Sequence, residues 1–290
     1  MARIQPASLS SNQPDLRVLA VLGALHRVLL VLVTAVSAIT LFGWLVPAVG
    51  SHLPQYWTLM KANSALLVLL CSLSVWLSEP RRSPRAVQLS RWFAGAVTLI
   101  AAIFVCERLR GISLPLDRLL SADANAPNAG IVSLESCGTV VFMGFVLRNL
   151  RVRKRFMSHL VDAATLCIIL LMLTFTSRFI FGVSHVFGVS PRNPMSLQTF
   201  TCLSVLTWLV VNRRAEYGIF SVLIGSQIGG KTARFAAPCA LLLPYFFAFG
   251  RVLAIRSDRL TDASATAFAT TALEVQVRFL RSTCREAIDS

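Results

Sequence analysis

The chain has 290 residues, of which 55% are hydrophobic and only 14% charged, and its mean hydropathy is +0.68. A soluble domain carries about 25% charged residues, and here the apolar residues fall in long blocks, which together exclude a water-soluble globular enzyme and a disordered protein alike. The 28 Lys plus Arg exceed the 13 Asp plus Glu to give a formal charge of +15. Because those cations sit between apolar blocks, the expected counter-charge is anionic lipid, not nucleic acid.

A hydrocarbon core of about 30 Å takes roughly 20 helical residues. Eight segments are read as spans: Leu19–Val46, interrupted near its start by His26 and Arg27, then Asn63–Leu77, Trp92–Leu109, Leu134–Leu147, Leu160–Phe181, Leu197–Val211, Phe235–Ile255 and Ala263–Leu280. The second, fourth and sixth are short and are expected to extend into their polar flanks, and the eighth holds Glu274 and Gln276. The first is too long an apolar run for a cleaved signal peptide.

Positive charge sets the expected topology. Arg81, Arg82, Arg85 and Arg91 fall in one set of connections with Arg148, Arg151, Arg153, Lys154 and Arg155, and with Arg213, Arg214, Lys231 and Arg234. The alternate connections hold fewer cations, diluted by Asp117, Asp123, Asp258 and Asp262. Cytoplasmic loops collect Lys and Arg, so both termini are expected in the cytosol. The expected fold is an all-α, polytopic membrane helix bundle: a tail at 1–17, an eight-span domain at 18–281 and a tail at 282–290, multi-pass in the inner (cytoplasmic) membrane.

The hairpins repeat. Met60-Lys61-Ala62-Asn63-Ser64-Ala65, Val132-Ser133-Leu134-Glu135-Ser136-Cys137 and Met195-Ser196-Leu197-Gln198-Thr199-Phe200 each put small polar residues at a helix opening, where they can satisfy orphan backbone N–H groups. Glu107-Arg108-Leu109-Arg110-Gly111-Ile112-Ser113 matches Arg178-Phe179-Ile180-Phe181-Gly182-Val183-Ser184 at helix ends. The units keep their orientation, unlike the inverted repeats of many secondary transporters.

Those openings, with Gly111-Ile112-Ser113-Leu114-Pro115-Leu116-Asp117-Arg118-Leu119-Leu120 and the Gly229-Gly230-Lys231 turn, resemble the multi-span N-terminal sensor module (MASE-like) of bacterial sensor histidine kinases and diguanylate cyclases. The likeness runs from the first span through the seventh. It departs at Ala62, where the family reads proline, and at Glu135-Ser136, where it reads Asn-Thr. It implies a sensory module, dimeric in the family, that acts through a cytoplasmic histidine kinase or diguanylate cyclase. Because only ten residues follow Leu280, the chain is expected to carry no catalytic domain of its own.

Ionisable residues at membrane depth are costly unless paired. Glu107, Arg178 and Arg251 are expected near the outer ends of their spans, and with Lys61 and Arg110 they form a candidate ligand-binding cluster. A plain interhelical salt bridge or snorkelling explains the same residues. Glu274 and Arg278, four apart, are candidates for passing a signal to a cytoplasmic partner, or simply pair on a surface helix. The seven cysteines, spread almost one per helix, read as packing residues and not as disulfides or a zinc site. Gly225-Ser226-Gln227-Ile228-Gly229-Gly230-Lys231-Thr232 fits a P-loop to the letter, but no soluble αβ sheet surrounds it. The scattered His26, His52, His159 and His185 suggest no metal site, and His159-Leu160-Val161-Asp162 imitates a phosphoacceptor motif without an ATP-binding domain. No catalytic residues and no cofactor are expected. The competing reading is a small transporter or channel, which predicts a polar path at mid-membrane that the Ser, Thr and Cys of the spans do not make.

Overall fold

A computed structural model describes residues 16–54, 58–79, 82–110, 132–152, 154–181 and 195–214. The described residues are all helical, in seven helices without a strand: α1 (Leu16–Leu45), α2 (Pro47–Gly50), α3 (Ala62–Leu77), α4 (Pro84–Arg110), α5 (Leu134–Arg148), α6 (Arg155–Phe181) and α7 (Leu197–Arg214). Gly23–Arg214 form one compact unit. The expected seventh and eighth spans, the 282–290 tail and the Gly225–Thr232 motif lie outside the described residues.

Among the described residues, three helical stretches are long and apolar enough to cross a membrane: Ala20–Leu45, Pro84–Arg110 and Arg155–Ser177. The helices α3, α5 and α7 are shorter. At about 1.5 Å per residue, α3, α5 and α7 reach only about 24, 22 and 27 Å, less than a hydrocarbon core. They pack against one another, while α4 lies on α3 and α5, and α6 lies on α5 and α7. Burying a helix among other helices relaxes its length requirement, because protein instead of lipid surrounds its polar ends. The core is correspondingly rich in their side chains, including Leu67, Val68, Met143, Leu203, Leu206 and Leu209.

Neighbouring helices alternate in direction. Ser74 and Ser90 clasp α3 to α4: Ser74 Oγ donates to the Ser90 carbonyl at 3.0 Å and Ser90 Oγ donates to the Ser74 carbonyl at 2.8 Å. Gly144 near the end of α5 lies against Ala94 and Thr98 near the start of α4. The Phe179 and Phe200 rings, 5.0 Å apart, bring the end of α6 to the start of α7. Consequently α3, α5 and α7 point one way and α4 and α6 the other.

Helix bounds depart from the hydropathy reading where polar turns lead into a span. α1 begins at Leu16, inside the expected tail. α4 begins at Pro84 instead of Trp92 because Ser83 caps it, accepting from the Ala86 N–H at 3.3 Å, with Pro84 at a position where a missing N–H costs nothing. α6 gains a turn at Arg155, and α7 continues to Arg214. α3 and α5 gain only one residue each and stay short. The cysteines divide as well: Cys71, Cys137 and Cys202 are buried, whereas Cys106 and Cys167 are exposed. Cys106 and Cys167 each precede a buried residue, Glu107 and Ile168, and a step of one residue turns a side chain about 100° round the helix.

Candidate functional site

At one end of the unit the helix openings and endings gather. The short helices begin there, and their first turns bury polar side chains: Asn63 and Ser64 on α3, Ser136 on α5, Thr199 on α7. The two repeat openings fold alike. Ser133 Oγ accepts from the Ser136 N–H at 3.2 Å and shares a 2.7 Å hydrogen bond with the Ser136 hydroxyl. Ser196 Oγ accepts from the Thr199 N–H at 3.2 Å and pairs with the Thr199 hydroxyl at 2.9 Å. Each thus satisfies an orphan donor of its helix. In α3 the same place is taken by Lys61, which makes no side-chain cap, and the connection is tied from outside. Trp44 Nε1 donates to the Met60 carbonyl at 2.9 Å, and the Met60 N–H donates to Gln198 Oε1 at 3.1 Å.

Glu107 belongs to this end and is 4% exposed. Its neighbour Arg108 donates through Nε to the Val132 carbonyl at 3.3 Å, which sets that turn of α4 beside the opening of α5. Arg110, nearly one turn beyond the buried Glu107, is exposed, and Lys61 is half-buried at the start of α3. Arg178 lies in the last turn of α6 with its side chain outside the described set, and Arg251, Glu274 and Arg278 are outside it altogether.

The opposite end holds an arrangement that composition and spacing do not announce. Asp162, in the third turn of α6, and Arg214, the last residue of α7, form a salt bridge with both side chains fully buried. Arg214 Nε donates to Asp162 Oδ1 at 3.1 Å, and its Nη2 donates to the same oxygen. Nη1 donates to the Leu150 carbonyl at 3.4 Å, and Nη2 also reaches the Ser158 carbonyl at 3.3 Å and Ser158 Oγ at 3.0 Å. One side chain therefore joins the α5–α6 connection, α6 and α7. Sequence reading placed Arg214 among the topology-setting loop cations and Asp162 in a chance His-x-x-Asp string. The available signal was an acid two turns inside an apolar helix, which demands a cation. The pair is internally neutral, so Arg214 adds nothing to the net charge of that end.

Three of the four histidines lie among the described residues. His26 is buried in α1, while His52 and His159 are exposed. Among the described residues no three His, Cys, Asp or Glu side chains gather as metal ligands would. The chain matches no family model, no curated protein and no solved structure.

Proposed function

We propose that the chain is a multi-pass sensory module of the inner membrane, with eight spans and both termini in the cytosol, acting through a cytoplasmic histidine kinase or diguanylate cyclase. The observation that carries this reading is the buried Glu107 at the end where the short helices begin, two of them, α5 and α7, with caps that fold alike. A buried carboxylate among helix termini is a place where a ligand, an ion or a change in the lipid can favour one packing of the hairpins over another. On this reading that end faces outward, and the arginine-bearing connections lie in the cytosol with the Asp162–Arg214 pair close beneath them. The pair fastens α6 to α7, so a shift in either helix is passed to the chain beyond residue 214.

The test is affinity capture of the full chain from membranes of its native host, followed by an output assay with the captured partner. A histidine kinase or diguanylate cyclase is expected, and Glu107→Gln is expected to change its phosphorylation or cyclic-dinucleotide output. Recovery of neither enzyme, or ion or solute flux through the reconstituted chain that Glu107→Gln abolishes, would overturn the reading in favour of transport.

A further inference from the structure

At the same end as the buried pair, a cleft of about 720 Å³ opens between the start of α4 and the end of α5, and Arg82, Arg91, Arg148 and Arg151 all line it. They come from two stretches far apart in the chain, the start of α4 with the turn before it and the end of α5 with the turn after it, and the fold brings them to one surface. No carboxylate is among the described lining residues. Arg82 is paired with Glu79, whose Oε2 lies 3.7 Å from its Nε. Arg91, Arg148 and Arg151 remain as like charges around one hollow, and they repel one another unless an anion sits among them.

Three of the four arginines lie against fixed neighbours. Arg151 Nη2 donates to the Ser78 carbonyl at 2.9 Å and the Glu79 carbonyl at 2.7 Å, capping the end of α3. The Arg148 guanidinium lies over Gly95 on α4, so close that a Cβ there would stand 2.7 Å from Nη1. Arg82 stacks on Trp76 with its guanidinium carbon 4.1 Å from the ring centroid. Planar guanidinium groups fixed in this way suit the oxygens of a phosphate, which they can grip in pairs. The cleft wall is also apolar on one side. Val87 and Trp92 line it, and the Trp92 ring is 68% exposed. Amphipathic rings of this kind settle at the headgroup level of a bilayer. A free inorganic anion would gain nothing from that wall, whereas a lipid could lay its acyl chain along it.

We propose that this cleft is a binding site for the phosphate headgroup of an anionic phospholipid, with Arg91 and Arg148 as its principal ligands and Trp92 against the acyl chain. The proposal rests on the membrane assignment but not on sensing, so capture of a kinase or cyclase can fail while lipid binding stands, and the reverse.

The experiment uses the full chain in nanodiscs of phosphatidylcholine doped with phosphatidylglycerol, with retained lipid read by native mass spectrometry. Retention of phosphatidylglycerol over phosphatidylcholine is expected for the parent chain. The double substitution R91Q/R148Q is expected to weaken that retention by at least about tenfold, while R85Q, which removes an exposed arginine outside the cleft, leaves it unchanged. Equal retention of the two lipids by the parent chain would overturn the proposal whether or not the variants fold. So would an equal loss in R85Q and R91Q/R148Q, which marks diffuse surface charge. Displacement of the lipid by inorganic phosphate or by an acidic peptide at equal concentration would also overturn it, by assigning the cleft to a soluble anion or to a protein partner.

Discussion

Replacing Asp162 with alanine is expected to destabilise the helical unit by about 3–5 kcal/mol, the cost of leaving one member of a buried ion pair without the other. Arg214 is fully buried, so without Asp162 its charge would face only the Leu150 carbonyl and the Ser158 carbonyl and hydroxyl. Arg214→Met leaves the carboxylate stranded instead and should cost a similar amount. The informative variant is the double one. Asp162→Leu with Arg214→Met removes both charges and fills the space with apolar side chains, a change that is often neutral for buried pairs. Unfolding of the purified protein in detergent, followed by circular dichroism against denaturant, should place the double variant near the parent and both single variants far below it. Single variants that unfold within about 1 kcal/mol of the parent, in the range of an exposed pair, would mean that the bridge does not fasten α6 to α7.

The second large effect is at Gly144. A Cβ built there falls on Thr98 Oγ1, stands 2.9 Å from the Ala94 carbonyl oxygen and 3.1 Å from the Thr98 nitrogen. Two of these three are backbone atoms, and the Ala94 oxygen already accepts the Thr98 hydroxyl at 2.9 Å. The contact cannot be relieved by turning one side chain. Small residues at such crossings let helices approach within a membrane, where packing takes over from the hydrophobic effect as the driving force. Gly144→Ala is expected to lose about 1–3 kcal/mol through overpacking, more than the roughly 1 kcal/mol gained in helix propensity, and Gly144→Leu should lose more. Gly138 on the same helix has open space around its Cβ position, so Gly138→Ala should keep the propensity gain and stabilise. Opposite signs for the two alanine variants in the same unfolding assay are the expected result; a stabilising Gly144→Ala would mean that α4 and α5 do not cross so closely.

What could be read from the sequence follows from how local each signal is. Apolar blocks with small polar openings located the described helices, and the repeat of Ser133-x-x-Ser136 in Ser196-x-x-Thr199 anticipated two caps that fold alike. Hydropathy misplaced the starts of α4 and α6 because their first turns are polar and project beyond the apolar run. For α4 the Ser83-Pro84 pair marked the true start. The division into long outer helices and short inner ones could not be seen in any single segment, since it depends on which helices surround which. The same holds for Asp162 and Arg214, 52 residues apart, and for the arginines of the cleft, which the sequence separates into two stretches. A carboxylate at a helix end, Glu107, was legible as a candidate because an acid near membrane depth is conspicuous wherever the chain folds.

The most direct measurement of the account as a whole is the side of the membrane on which the two connections flanking α4 lie. A site-specific protease sequence is inserted into the full-length chain after Ser83 in one version and after Asn125 in another, and intact spheroplasts are exposed to the protease from outside. With the arginine-rich connections in the cytosol and α4 spanning the bilayer, cleavage is expected after Asn125 and none after Ser83. Cleavage after Ser83, or protection of both sites, would contradict it.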